Sequence, residues 1–473
     1  MKNRVSECVG RMMPLLIIRE ARSLHAISLP LAAVFAIETV MYLVDKIVVG
    51  RLGAEPLAAL GLATRVTGDM MYSLCLCILG IGNILASNAI ARENIRITHQ
   101  VIGHSILLSI VLSAPVMLLS YNIGDALLAM GQSPNVSSLA GEYGRGAAWA
   151  VLPLVLFTVL RDFRAILSDL RGVVWLISIA ALTKFALVTL LVFGGYGIPP
   201  LGMFGAGVAS SLIAWGVLAA EIASQYIRPM NPSLRHALSA FTYDVKIVAD
   251  YFRVGIPVVL NSLVLTSLWL TLNLLVGTYG GSALAGHQIV IGVVLLALII
   301  PEGMREAVAI RAARFLGLQG SNSVWTIAMI GAVSNLIFVA PFLVMMLFFP
   351  LLLTRIFIDP DTLTNADAVE WARWIFAYAA AYLVIDSIQI PLIAALKGLR
   401  KTRAPLVIGF VCYIVLGIGS GYYISVQLNY GVLGLWFGVV VGNLLAVAIL
   451  ATRLALIVKG AQQSFLEPRP ESS

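Results

Sequence analysis

The chain has 473 residues, of which 60% are hydrophobic and only 11% charged, against roughly 25% charged in an ordinary soluble domain. A chain this apolar cannot clothe a water-facing surface, so lipid must cover it; a cytosolic enzyme, a secreted disulfide scaffold and a disordered adaptor are excluded. The net charge of +8 then reads as the lysines and arginines that hold loops in the cytoplasm, not as a nucleic-acid footprint.

The first 25 residues are too charged for an apolar signal sequence, and Met12–Ile18 is expected on the membrane surface. Apolar stretches long enough to cross a bilayer, about 20 residues each, then fall near 27–49, 60–88, 101–124, 144–168, 173–194, 205–227, 254–276, 284–308, 324–350, 372–396, 404–426 and 432–458. Each is expected to be a helix, because backbone in lipid must satisfy its own hydrogen bonds. The four cysteines (Cys8, Cys75, Cys77, Cys412) make no disulfide or zinc framework. Cys75 and Cys77, inside an apolar run, are expected to be buried spectators. With the N-terminus inside and the spans alternating, 24 of the 31 lysines and arginines fall in cytoplasmic segments. Four (Arg51, Arg145, Arg355, Arg373) fall outside, and three (Lys46, Arg65, Lys184) within spans. That asymmetry predicts twelve spans with both termini in the cytoplasm.

The chain also repeats itself. At one common offset Pro30 falls on Pro257, Gly50 on Gly277, Gly53 on Gly280, Leu57 on Leu284 and Ala58 on Ala285. Two residues further out of register, Gly202 and Gly205 fall on Gly431 and Gly434, and Leu170-Arg171 on Leu399-Arg400. The expected fold is therefore an all-α membrane protein of twelve transmembrane helices in two six-helix lobes. The lobes are 1–227 and 254–473, joined by a cytoplasmic loop over 228–253. Six is even, so both lobes enter from the same side and are related by a pseudo-two-fold along the membrane normal. Such repeats suit a substrate site near the midplane and alternating access. Gly205 with Ala209, and Gly434 with Gly438, are spaced for close helix packing.

Four motifs carry a resemblance. V-D-K-I-V-V-G-R-L-G-A-E-P-L-A-A-L-G (44–61), F-G-G-Y-G-I-P-P-L-G-M-F-G-A-G-V-A-S (193–210), L-A-G-H-Q (284–288) and D-S-I-Q-I-P-L-I-A-A-L-K-G-L-R-K-T-R (386–403) resemble, in order, segments of the multidrug and toxic compound extrusion family. The resemblance implies a cation-coupled antiporter of the bacterial inner membrane. It would export small organic compounds, often cationic or amphipathic. It further implies that Asp45 is the coupling residue of the N-terminal half, and that Asp386 with Tyr382 forms a tenth-span site for a proton or sodium.

An ion within the membrane costs at least ~2.5–3.5 kcal/mol at the helix centre, so such residues are functional candidates by default. Glu38, Asp45, Asp69, Glu302 and Asp386 lie within spans or near their ends. Asp45 is expected to hold a proton or cation, or else to snorkel outward beside Lys46. Glu38, two turns earlier, is expected to line the same path or simply share the face. Tyr382, Asp386 and Gln389 share one helical face and suit sodium coordination, proton transfer or a helix–helix hydrogen-bond cluster. Two departures from the family pattern stand out. A seventh-span glutamate is replaced by Leu265, with Asn261 and Thr266 the nearest polar groups; a fifth-span asparagine pair is replaced by Lys184 and Val188. An ammonium near Asp45 stabilises its anionic form and repels sodium. The chain is therefore expected to couple to protons, or through Asp386 alone. Arg65 and Asp69, four apart, are expected to pair. Glu302 is a gate or an interfacial residue, His287 and Gln288 are cap or functional residues, and His99 and His104 are interfacial.

No P-loop and no metal-ligand histidine pair is present in the sequence. Beyond the coupling ion, H+ or Na+, no cofactor is expected, and no enzyme activity. The expected partners are small organic substrates and the lipid bilayer, without nucleic acid, for a monomer. The alternative is a lipid-linked saccharide flippase of related fold, which would call for a more basic interior than Lys46, Arg65 and Lys184 supply.

Overall fold

The computed structural model describes residues 2–166, 171–227, 242–317, 321–399, 401 and 403–466; the side chains of some helical positions, Asn261 and Leu265 among them, lie outside the described residues. Twelve long helices account for nearly all of it: α1 Lys2–Gly50, α2 Ala54–Ser87, α3 Ile95–Tyr121, α4 Pro134–Arg164, α5 Arg171–Phe193, α6 Gly202–Ile227, α7 Val245–Gly277, α8 Gly281–Gly317, α9 Ser321–Phe348, α10 Ala366–Gly398, α11 Arg403–Gln427 and α12 Gly431–Leu466. Each expected span falls on one of these helices; among the described residues eleven are long and apolar enough to cross a bilayer, and α7 contributes the shorter apolar stretch Thr266–Gly277. Their ends are set by groups that hydropathy does not weigh. Asn94 caps α3 by accepting from the Ile97 amide. Ser133 caps α4, with Pro134 in the first turn, and Asp244 caps α7. Hence α4 starts about ten residues earlier than apolarity alone suggested, and the 228–253 segment turns helical at Val245; residues 228–241 lie outside the described residues. Met12–Ile18, expected on the membrane surface, is continuous with α1.

By packing, the chain divides into two compact units. One takes residues 40–288 and 354–369, the other 1–39, 289–353 and 370–473. The packing division differs from the division by sequence repeat, because α7 belongs with α2–α6.

The first unit is held by backbone-close crossings. A Cβ on Gly207 of α6 would stand 2.3 Å from the Tyr143 carbonyl of α4, and one on Gly146 2.6 Å from the Phe204 carbonyl. Only hydrogen fits at this crossing, and the gain is dispersion contact between two backbones. Gly205 meets Leu191 of α5 in the same way. Around these crossings lie two apolar clusters: one of Leu79, Ile81, Val101, Val155, Phe163 and Tyr251, the other of Phe157, Leu160, Val173, Ile213 and Leu218. In the second unit, Gly434 and Gly438 of α12 abut Ser425 and Gly417 of α11, and a core of Leu24, Met304, Val308, Ile327, Leu392, Leu396, Cys412 and Leu450 fills the space between helices.

The sequence repeat has a backbone counterpart. Gly53 and Gly280, which it pairs, have φ of 127° and 108°; Gly202 and Gly431 both have φ of 54°. These are conformations that glycine adopts without steric cost. Two π-helical segments, Thr64–Met71 in α2 and Phe410–Ile418 in α11, interrupt otherwise regular helices beside polar groups. Cys75 and Cys412 are buried free thiols, and Cys77 is only half-buried.

Candidate functional site

The first unit brings α1, α5 and α6 together around Asp45. Lys184 of α5 donates from Nζ to Asp45 Oδ2 at 2.7 Å and to the Met41 carbonyl at 3.0 Å. Ser210 of α6 donates to the same Oδ2 at 3.3 Å. Asp45 and Lys184 are 5% and 8% exposed, so this is a buried ion pair rather than a snorkelling residue. Each ion taken out of water costs several kcal/mol, and mutual attraction offsets that only when hydrogen bonds complete the pair. Here the carboxylate is incomplete: its Oδ1 is buried and, among the described residues, has no hydrogen-bond partner. One oxygen is fixed by an amine and a hydroxyl; the other is an open acceptor.

Lys46 does not share in this pair. Adjacent helical residues point about 100° apart and do not face each other. Its ammonium, 1% exposed, donates to Gln288 Oε1 of α8 at 2.8 Å and lies 4.9 Å from the Tyr42 ring centroid. Gln288 in turn donates to Asn273 Oδ1 of α7 at 2.6 Å. Gly61 of α2 makes the room, since a Cβ there would stand 2.0 Å from Gln288 Cδ. His287 and Gln288 are fully buried within α8, so neither caps it. Arg65 and Asp69 form the expected ion pair, within the π-helical segment of α2.

The second unit builds a different polar cluster on α10. The Tyr382 hydroxyl and the Asp386 carboxylate are near enough to interact electrostatically; both residues are 6% exposed. Gln389, one turn on, donates to the Tyr413 hydroxyl of α11 at 2.5 Å, and its own Oε1 is buried without a partner. Asn335 of α9 donates to the Ser387 carbonyl at 3.3 Å and likewise keeps a buried, unpartnered Oδ1. Two spare amide oxygens therefore lie beside or on the helix turn that carries Asp386. The charges of Arg305 and Glu302 reach Asp386, and these two pair with each other at 2.8 Å.

Three expected neighbours fall elsewhere. Glu38 is exposed and belongs to the second unit. The Asn261 side chain lies outside the described residues. His104 is not interfacial but fully buried: its Nε2 accepts the Asp244 amide at 2.9 Å, fastening the start of α7 to α3.

Sequence reasoning missed the most buried acid. Glu221 of α6, 1% exposed, pairs with Arg164 of α4 at 2.9 Å and takes the Gln225 amide at 2.8 Å. Arg164 also donates to Ser224 at 2.7 Å. The available signal was an acid one turn before a glutamine inside an apolar 26-residue helix. Asn273, Asn335 and Tyr413 were missed as well; each is a polar residue in a largely apolar run, with a partner on another helix.

The MatE family model matches residues 30–193 and again 257–423, one match to each half, beginning at Pro30 and at Pro257. The chain belongs to the MatE family. It is a multi-pass membrane protein of a transporter family. Among MatE-related proteins, it is 27% identical over 457 residues to a Synechococcus sp. protein described as a probable multidrug resistance protein NorM, covering 95% of this chain and 97% of that one. It is 29% identical over 429 residues to a protein of the same description from Rhizobium meliloti, covering 88% and 89%. Its fold is that of a solved multidrug resistance MATE transporter in an inward-facing conformation, with TM-score 0.78, 20% identity and 90% and 95% coverage. A transporter of the same superfamily from Pyrococcus furiosus aligns with TM-score 0.68 at 19% identity, covering 94% and 97%.

Proposed function

We propose that the protein is a proton-coupled antiporter that exports small organic compounds, often cationic or amphipathic, by alternating access. It works as a monomer in the bacterial inner membrane, with both termini cytoplasmic and lobes 1–227 and 254–473 as the moving parts. The observation that carries the coupling ion is the half-occupied Asp45 carboxylate: Lys184 holds Oδ2 while Oδ1 is buried and open. A proton arriving from outside binds Oδ1 and cancels the negative charge, leaving the ammonium to repel a cationic substrate. Loss of the proton to the cytoplasm restores the ion pair and lets the next substrate approach. Proton and substrate thus compete for one charge state, which is what obliges exchange. Asp386 with Tyr382 supplies a second acidic group, open to H+ or Na+. The names of the Synechococcus and Rhizobium relatives support export of drug-like compounds as the direction and cargo.

The test is dye transport in everted membrane vesicles, with pH and sodium gradients imposed separately. A pH gradient alone should drive uptake of a cationic dye into the vesicles. Transport driven by sodium and unaffected by pH would overturn the reading.

A further inference from the structure

We infer that Lys184 is a resident cation: its ammonium occupies, on the oxygens of α1, the position that a coupling sodium ion would otherwise take, and removing it creates a sodium site. The inference rests on the proton-coupled reading and explains how such a chain excludes sodium.

The oxygens around the ammonium are those a small hard cation needs. Asp45 Oδ2 lies 2.7 Å from Nζ and the Met41 carbonyl 3.0 Å. That carbonyl lies one turn before Asp45 on α1, and its second lone pair serves the lysine while the first serves the helix. The Ser210 hydroxyl adjoins the same carboxylate oxygen at 3.3 Å. Asp45 Oδ1 is buried and unpartnered among the described residues, a further oxygen that an ammonium with three directed donors has left unused. A spherical ion has no such directionality and would draw on both carboxylate oxygens. Lys184 is 8% exposed, so its point charge is confined to this pocket of oxygens. Being tethered, it competes with external sodium as an intramolecular ligand that is never diluted away. A proton is under no such handicap, because it binds Oδ1 without displacing the amine.

The test is thermal unfolding of the purified full-length protein in detergent, in sodium chloride against choline chloride at equal ionic strength. All variants carry Asp386→Asn, so that the second unit is silent. With Lys184 intact the midpoint should be the same in both salts. Lys184→Ala and Lys184→Met should each rise in sodium by about 1–2 °C at saturation, for roughly 1–2 kcal/mol of binding. Adding Asp45→Asn should abolish the rise, and Lys184→Arg should show none. Methylammonium should replace sodium in rescuing Lys184→Ala. Folded Lys184→Ala and Lys184→Met proteins indifferent to sodium would overturn the inference. So would aggregation of both variants in sodium and methylammonium as well as in choline, or an equal sodium response with Lys184 intact. Proton-driven transport by the unaltered protein is read separately, so its failure would sink the functional reading without deciding this one.

Discussion

Replacing Asp45 by asparagine strands an ammonium in the protein interior. Lys184 would lose the carboxylate charge it meets at 2.7 Å and keep only uncharged acceptors, the Met41 carbonyl at 3.0 Å and the new amide oxygen. Removing one member of a buried pair costs about 3–5 kcal/mol. The surviving carbonyl bond places this case near the low end, about 3 kcal/mol. Lys184→Met should cost about as much, because it leaves a carboxylate with only Ser210 to hold it. Removing both charges together removes the conflict, and apolar replacement of a buried pair is often close to neutral. The double variant should therefore be more stable than either single one, with a coupling energy of about 2–4 kcal/mol. The assay is a double-mutant cycle by chemical unfolding in detergent, with each variant first checked by size-exclusion chromatography. A double variant destabilised by the sum of the two single effects would refute the pair as a coupled unit.

Glu221→Gln should lower stability by about 3 kcal/mol or more, because Arg164, 4% exposed, loses its counter-charge; unchanged unfolding would contradict the buried placement. Gly207→Ala puts a methyl group 2.3 Å from the Tyr143 carbonyl. It should separate α4 from α6 at a cost above about 1–3 kcal/mol, seen as a lower unfolding midpoint, whereas Gly216→Ala, with open space at its Cβ, should be silent. Tyr413→Phe removes the acceptor for Gln389 and should cost about 1–3 kcal/mol while reducing transport; wild-type turnover would separate Gln389 from the Asp386 cluster.

The fold was largely legible because lipid imposes a simple rule: each run of about 20 apolar residues must be a helix. Pro30 with Pro257 and Gly53 with Gly280 carried the duplication, and the shared positive φ of the glycines shows why those positions agree. Asp45, Asp386 and Lys184 stood out because ions are rare in apolar spans. Their partners were less legible. Nothing local distinguishes Tyr413 or Asn273 from other single polar residues, since each finds its role only through a helix distant in sequence. Glu221 lies near the C-terminal end of its helix, where a solvated acid is ordinary, and only the crossing of α4 over α6 makes Arg164 its partner. Hydropathy misjudged helix starts for a related reason, since Ser133 and Asp244 end loops by hydrogen bonds rather than by apolarity.

The most direct measurement is proton release on substrate binding, followed with a pH indicator in weakly buffered detergent solution. At a pH low enough for Asp45 to be protonated in the free protein, reached by stepping down from neutrality, the unaltered protein should release protons when a cationic dye binds, and Asp45→Asn/Lys184→Met should lose that release while remaining folded. Undiminished release from the double variant would show that Asp45 is not where the coupling proton resides.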